Sequence, residues 1–458
     1  MIHKRMRNAA QRVFFGWWIV TAGIGLQTLI SGLMIQSYGA YVVFLSEEFG
    51  WSKTALSSVY GLKQLQTGLM SPLQGYVLER FGSRRVVRLG VFVFAFGLFA
   101  LSQVQNLWTF ALVFLFIGIG TSLCGLLSLL TTVVNWFERR RSTALSTMQL
   151  GMGIGGLLVP VVAWSLAYYG WRNTAWMSGV LVLLFGLPLS RLIRSQPEDY
   201  GLLPDGAVPE PDAADALASD TPTSDKAATA APSTSAQATS RPVRSQATGF
   251  TPRQALRTRA FWFISFGHAA AVLIVSAVTV HLVAHLTEGL GYSVQAAASV
   301  VALMTLMSML GQVIGGILGD LYSKRLLTTV AMVGHASAIA VLAVAQSNPA
   351  VWYFAVVHGV SWGVRGPLMG AIRADYFGRQ AFARIMGMSS LIITIGTLGG
   401  PVFAGYMADR FGNYQASFLI LAVIAALSSL FFAFAHRPVL PTALPPLCVA
   451  PDKQERCC

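Results

Sequence analysis

The segment GYVLERFGSRR at residues 75–85 returns in altered form as GGILGDLYSKR at residues 315–325. Sliding the chain by 241 residues lays Gly75 on Gly316, Glu79 on Asp320 and Arg84 on Arg325. A second match, AYYGWR at 167–172 against ADRFGNY at 408–414, sets Gly170 over Gly412. In both copies of the first segment a glycine and a carboxylate close an apolar run, and basic residues follow. Self-similarity over such a distance marks two copies of one architecture, one in each half of the 458-residue chain.

The repeated units are built from membrane-length apolar runs. Hydrophobic residues make up 54% of the chain, charged residues only 11%, and mean hydropathy is +0.60. Soluble domains carry about 25% charged residues, so this composition all but excludes a soluble enzyme. A hydrocarbon core about 30 Å thick takes about 20 apolar helical residues. Twelve runs qualify, near 15–45, 54–78, 86–104, 107–135, 143–168, 173–193, 260–286, 294–319, 326–346, 350–375, 383–408 and 414–435. The expected fold is an all-α membrane protein, twelve transmembrane helices in two pseudo-symmetric six-helix halves. The first run follows Lys4, Arg5, Arg7 and Arg12, but it far exceeds a signal peptide's apolar core and lacks a small-residue cleavage site. It is read as a retained span.

The net charge of +14 follows from sidedness. All but five of the 32 Lys and Arg lie in the N-terminal segment, the even-to-odd loops and the C-terminal tail. Lys53, Arg172 and Arg410 lie on the other side, and Lys63 and Arg365 lie inside spans. The positive-inside rule then puts both termini in the cytoplasm of a cell carrying the protein in its inner or plasma membrane. The basic residues face anionic lipid, not nucleic acid. Residues 195–259, with TPTSDKAATAAPSTSAQATS at 221–240, lack the apolar content to build a core and read as a disordered cytoplasmic linker. The organisation is a six-helix half at 1–194, the linker at 195–259, a second half at 260–436 and a cytoplasmic tail at 437–458. Cys124 lies in a span and Cys448, Cys457 and Cys458 lie in the tail, which is no disulfide framework.

Charge inside hydrocarbon is costly, so Lys63 and Arg365 are the first candidates for a site. No Asp or Glu lies well inside any of the twelve runs, and an incoming anion would supply the missing partner. On span 2, Tyr60, Lys63, Gln66, Thr67 and Gln74 share a face, and on span 10 His358, Ser361, Trp362, Arg365 and Met369 do so. Gln27, Ser31 and Tyr38 on span 1 and Ser128 to Asn135 on span 4 add polar lining. Spans 3 and 12 are apolar nearly all round, as lipid-facing helices are. The substrate-binding candidates are Arg365, Lys63, His358, Tyr38, Gln27, Gln66 and Trp362. His281 and His358 are the proton-coupling candidates. His281 and His285 are four residues apart but have no third ligand, so no metal site is expected. LGMGIGG at 150–156 lies within span 5 and reads as close helix packing. No phosphate-binding loop or nucleophile elbow occurs, so neither ATP hydrolysis nor other enzyme chemistry is expected. No cofactor is implied.

The loop GYVLERFGSRR resembles the signature between spans 2 and 3 of the major facilitator superfamily, with Glu79 where that signature usually has Asp. YGAYVVFLSEEFGWSKTALS at 38–57, QPEDYGLLPDG at 196–206 and GPVFAGYMADRFGNY at 400–414 resemble its bacterial branch related to monocarboxylate porters and oxalate/formate antiporters. Span 1 has no lysine and span 8 no Asp/Arg pair, which departs from the mammalian monocarboxylate porters. The resemblance implies that spans 1, 4, 7 and 10 line a central cavity. It also implies that Gly75, Glu79, Arg80, Gly82, Arg84, Gly316, Asp320, Arg325, Asp375 and Asp409 form the gate. Glu79 would face the N-terminal end of span 11, Asp320 that of span 5, and Arg80, Arg84 and Arg85 would reach carboxylates such as Asp375.

The expected function is secondary transport of a small organic anion, a mono- or dicarboxylate, as proton symport or anion exchange. The partners are that solute and the lipid bilayer, with no nucleic acid, and the protein is expected to be monomeric. Efflux of amphipathic compounds is the alternative, and a non-transporting sensor signalling through the linker is a more distant one.

Overall fold

The computed structural model describes residues 14–206 and 249–439. The basic N-terminal residues Lys4 to Arg12, the middle of the linker at 207–248 and the tail cysteines lie outside the described residues.

Twelve crossings are present among the described residues. Span 1 is Gly16–Ile30 and Tyr38–Phe49 joined by a π turn at Ser31–Ile35. Spans 2 and 3 are Lys53–Phe81 and Ser83–Leu101. Span 4 is broken into Leu107–Cys124 and Leu126–Trp136. Span 5 runs from Arg141–Leu157 into Val159–Leu181, a helix bent at Gly170 (φ +80°), after which the chain is span 6, ending at Leu187–Leu192. Spans 7 to 12 are Arg259–Ala284, Val294–Leu321, Lys324–Ala343, Asn348–Phe377, Phe382–Phe411 and Gln415–Ala433. The glycine at the span 5–6 bend adopts a φ that side chains resist. By length and composition alone only eight helices stand out as membrane-crossing, one of them covering spans 5 and 6. Spans 2, 3 and 10 miss that criterion, and these carry Lys63, the Arg84/Arg85/Arg88 cluster and Arg365.

Small residues set the helix spacing. A Cβ on Gly151 would lie 2.4 Å from the Ile24 carbonyl oxygen, and one on Gly155 would lie 2.8 Å from Gly32 N. Span 5 therefore lies directly on span 1, and Thr28 and Ser31 donate hydroxyl hydrogen bonds to the carbonyls of Gly151 and Met152 at 3.1 and 3.0 Å. Two main apolar cores result, one centred on the N-terminal half and one on the C-terminal half.

The ends of the segment read as linker are folded. Residues 195–206 pack across the end of the bundle from which the linker departs, here called the linker end. Asp205 accepts hydrogen bonds from the backbone of Glu138 and Arg139 at 2.9 and 2.6 Å, and Arg194 lies over the rings of Phe15 and Tyr200. Thr251 caps a short helix at Pro252–Leu256 through a reciprocal bond with Gln254. Tyr200, Leu202 and Phe250 give these stretches enough apolar surface to dock.

Candidate functional site

A cavity of about 270 Å³ lies between spans 1, 2, 4, 5 and 11. Gln27, Lys63, Gln64, Thr67, Gln74 and Thr394 are among its lining residues. This set differs from the expected 1, 4, 7 and 10: spans 7 and 10 contribute nothing to it, and spans 2, 5 and 11 do. Lys63 is 5% exposed, and its ammonium group lies 5.8 Å from the Tyr60 ring centroid. Gln27 is also buried, and its side-chain Nε2 has no hydrogen-bond partner. Gln66, named with them from helical spacing, faces elsewhere: its amide donates to the Leu115 carbonyl on span 4 at 3.1 Å, and Gln64 takes the place facing the cavity. Tyr38 spends its hydroxyl on the Leu56 carbonyl at 2.7 Å, and its ring packs on Tyr60 and Phe114.

The break in span 4 opens onto this cavity. Gly125, Leu126 and Leu127 all line it. Gly125 adopts an extended backbone and no side chain caps the helix that follows. The first N–H groups of Leu126–Trp136 therefore lack helical acceptors and present positive potential to the cavity that Lys63 also lines. Gly125 inside an apolar run was the available signal, and spacing alone did not identify a break there.

Arg365 is 2% exposed, and its Nε and Nη1 have no hydrogen-bond partner among the described residues. It is not among the residues lining the cavity of Lys63, so the two intramembrane cations stand in opposite halves. Trp362 is partly buried against the C-terminal core. His358 is fully buried two turns from Arg365, and its Nδ1 lies 3.1 Å from Nδ1 of His335. His281 bonds the Pro401 carbonyl and the Tyr414 hydroxyl, at 2.9 and 3.2 Å.

Arg373 is a further buried cation. Two residues from the end of the apolar run it reads from sequence as a loop cation, but span 10 continues to Phe377 and leaves Arg373 1% exposed. It donates to the Met369 carbonyl at 2.8 Å and to Ser389 at 2.7 Å, and Ser389 bonds Ser265 on span 7 at 2.9 Å. Among the described residues no carboxylate pairs with Lys63, Arg365 or Arg373.

The two repeated segments occupy equivalent crossings at the linker end. Glu79 pairs with the Arg384 side chain and accepts from the Arg384 backbone N–H at 3.4 Å, at the start of span 11. Asp320 accepts from the N–H groups of Ser142 and Thr143, at 2.7 and 3.0 Å, at the start of span 5. A Cβ on Gly75 would lie 2.5 Å from the Ala383 carbonyl oxygen, and one on Gly316 would lie 1.9 Å from Ser146 Oγ. Gly82 turns the chain into span 3 at φ +77°.

Asp375 corrects the expected pairing. Its partners are Arg141 and Lys324, which stand at the starts of spans 5 and 9, and not Arg80, Arg84 or Arg85. Arg80 and Arg84 instead reach the hydroxyls of Tyr76 and Tyr200, because residues 195–206 cover the N-terminal signature loop. Arg325 lies against His436. Arg379 joins the halves by pairing with Glu198 and donating to the Asn135 carbonyl. Asp409 is at the opposite end of span 11, in a surface pocket of about 560 Å³ with Glu288 and Tyr414, far from the other residues grouped in the gate.

Asp320→Ala removes an acceptor for two helix-terminal N–H groups, worth about 1–2 kcal/mol to the closed linker end. The expected result is a fall of about tenfold in transport rate at saturating solute, with binding midpoint unchanged, measured in proteoliposomes.

The family model for the Major Facilitator Superfamily matches residues 24–364 and 264–447. Monocarboxylate transporter 13 of Rattus norvegicus is 25% identical over 412 residues, 89% of this chain and 85% of that protein. The glycerol-3-phosphate transporter of Bacillus subtilis (strain 168) is 24% identical over 457 residues, covering 94% and 92%. Among solved structures, the transporter FucP in its outward conformation superposes with a TM-score of 0.67 at 14% identity over 92% of this chain and 99% of its own. The human organic anion transporter MFSD10 superposes with a TM-score of 0.64 at 15% identity over 90% and 98%. With twelve crossings in two repeated halves and a family match over most of its length, this chain is an integral membrane transporter and belongs to the major facilitator superfamily.

Proposed function

We propose that the protein carries a small organic anion, a mono- or dicarboxylate, by alternating access. The observation that supports this most strongly is Arg365, a guanidinium buried at 2% exposure with Nε and Nη1 unpartnered and no carboxylate in reach. A buried charge without a partner is expensive, and a carboxylate would satisfy both nitrogens through the planar fork that Arg presents. Lys63, the orphaned Gln27 amide and the exposed start of the second half of span 4 offer a second positive surface. The names of the relatives, monocarboxylate and glycerol-3-phosphate transporters, concern organic anions and are in keeping with this reading.

The linker end is assigned to the cytoplasm by its excess of Lys and Arg. Glu79–Arg384, Asp320 with the start of span 5, and Asp375–Arg141 then hold the halves together on the inside. The arrangement described is thus closed to the cytoplasm, and anion binding would offset the charge that otherwise opposes closure around the site. In this reading the protein works as a monomer in the inner or plasma membrane and has no nucleic-acid partner.

Counterflow in proteoliposomes tests the proposal directly. Labelled lactate and succinate should enter vesicles preloaded with the same unlabelled carboxylate, with saturable rates. Absence of exchange with every mono- and dicarboxylate of a panel overturns the proposal. Lys63→Met should raise the half-saturation concentration about tenfold, as expected for loss of one partly desolvated charge contact of about 1.5 kcal/mol.

A further inference from the structure

We infer that His335 and His358 form a one-proton binding site, and that an anion on Arg365 is what loads it. The inference rests on the anion reading of Arg365 and decides between the two coupling modes that reading allows, in favour of proton symport.

The geometry is that of a shared-proton pair. Both rings are wholly buried, their centroids 4.6 Å apart and their Nδ1 atoms 3.1 Å apart. Two Nδ1 atoms at that distance hold one hydrogen between them: one ring donates and the other accepts. Each neutral imidazole has a single N–H. The donating ring therefore has a lone pair at Nε2, and the accepting ring has its N–H at Nε2. Neither Nε2 has a hydrogen-bond partner. One further proton goes onto the donor ring's Nε2, making it an imidazolium whose Nδ1–H bond to its neighbour becomes charge-assisted. A second proton would put hydrogens on both facing Nδ1 atoms and break the contact, so the capacity of the pair is one.

The charge that acts on the pair is the Arg365 guanidinium. His358 lies seven residues before Arg365 on the same face of span 10, about 10 Å along the helix, and both histidines are within electrostatic reach of that guanidinium. Arg373, Asp375 and Tyr376 follow on span 10 towards the linker end, and Tyr353 at its other end donates to Ser337. Span 7 brings the buried His268, with Arg259, His281 and His285 towards its ends. Span 8 offers Asp320, span 9 has Lys324 and Arg325 besides His335, and span 5 has Arg141, these four charges all at the linker end; span 5 also has Tyr168 and Tyr169 at its far end, and span 12 has no titratable group. The charges of span 11, Arg384, Asp409 and Arg410, also lie at its ends. No carboxylate stands beside the pair among the described residues.

Burial itself opposes a charged ring, and with Arg365 bare protonation would also add like charge to like. A carboxylate on Arg365 cancels that field. At an effective dielectric constant of about 20, a unit charge about 10 Å away changes proton affinity about tenfold. By reciprocity the proton strengthens anion binding by the same factor, so anion and proton load together and leave together.

The test uses purified full-length protein in lightly buffered detergent at a series of pH values, with lactate and succinate as probes. At the pH of greatest uptake the parent should take up about half a proton per carboxylate bound, the ceiling that a tenfold linkage sets, and its carboxylate affinity should rise by up to about tenfold as pH falls. His335→Asn places an amide where Nδ1 was and cannot titrate; His335→Gln is the second variant. Each should still bind and exchange the probe, with an affinity that no longer varies with pH and that falls below the parent's by up to about tenfold where the parent's pair is loaded, yet lose proton uptake by at least about tenfold and fail to accumulate carboxylate against a pH gradient. A gradient of one unit should drive about tenfold accumulation in the parent. Carboxylate binding by the parent without proton uptake overturns the inference, as does undiminished uptake in the His335 variants. Failure of the parent to bind any carboxylate overturns the anion reading, and the inference falls with it.

Discussion

Arg365→Ala should reduce saturable carboxylate counterflow by about 100-fold or more while leaving the protein at least as stable as the parent. The two effects have one cause. Arg365 is 2% exposed and two of its nitrogens have no partner, so without an anion it is an uncompensated charge in the interior. Its removal relieves the desolvation penalty of the free protein. In the loaded protein the same substitution leaves the carboxylate without its fork, and truncating one side of a buried charge pair costs about 2–5 kcal/mol. The midpoint of that range, about 3.5 kcal/mol, is a factor of about 300, and its lower part still gives tens of fold. Arg365→Lys should fall between, because it keeps the charge and loses the two-pronged geometry. Counterflow and thermal unfolding of the same preparations check both halves. A variant that transports normally, or that loses transport only because it unfolds, would refute this role for Arg365.

The second large effect is expected at Gly75. Span 2 crosses span 11 there so closely that a Cβ on Gly75 would lie 2.5 Å from the Ala383 carbonyl oxygen and 2.9 Å from Arg384 Cα. The crossing is reciprocal, because a Cβ on Gly387 would lie 2.4 Å from the Ser71 carbonyl oxygen. Both obstacles are backbone and cannot rotate away. Gly75→Ala should therefore destabilise the closed linker end by about 1–3 kcal/mol, depleting it by about 10- to 100-fold relative to the open state. Spin labels at the exposed Arg139 and Tyr322, with the tail cysteines Cys448, Cys457 and Cys458 replaced by serine, should report longer distances and slowed transport. Gly61→Ala, a change on the same helix with nothing within 4 Å, should leave both unchanged. An unaltered distance in Gly75→Ala would contradict the proposed closure.

Much of this arrangement was legible in the sequence, and the reasons are local. Apolar length identifies nine of the crossings by itself, because lipid demands it. Spans 2, 3 and 10 are diluted by Lys63, the Arg84/Arg85/Arg88 cluster and Arg365, yet the repeat at an offset of 241 residues reveals two of their ends. Glycine spacing in span 5 announced close helix packing, and the structure supplies the partner, span 1. What escaped depends on groups distant in sequence. Arg373 looked like a loop cation because its neutral partners, Ser389 and the Met369 carbonyl, do not advertise a burial site. Gln64 and Gln66 are two residues apart on one helix, and only the position of span 4 decides which of them turns to the cavity. The folding of QPEDYGLLPDG depends on N–H groups of Glu138 and Arg139 that happen to be free for Asp205. The facing of His335 and His358 joins two helices whose sequences say nothing about each other.

The central claim is that the carried solute is recognised as an anion. Its most direct test is competition in counterflow: unlabelled lactate and succinate, and their uncharged amides, against the labelled carboxylate that the parent exchanges. The account predicts that the carboxylates compete and that the amides, equal in shape but without charge for Arg365 and Lys63, do not. Equal competition by the amides would contradict it and point to a carrier of neutral or amphipathic compounds.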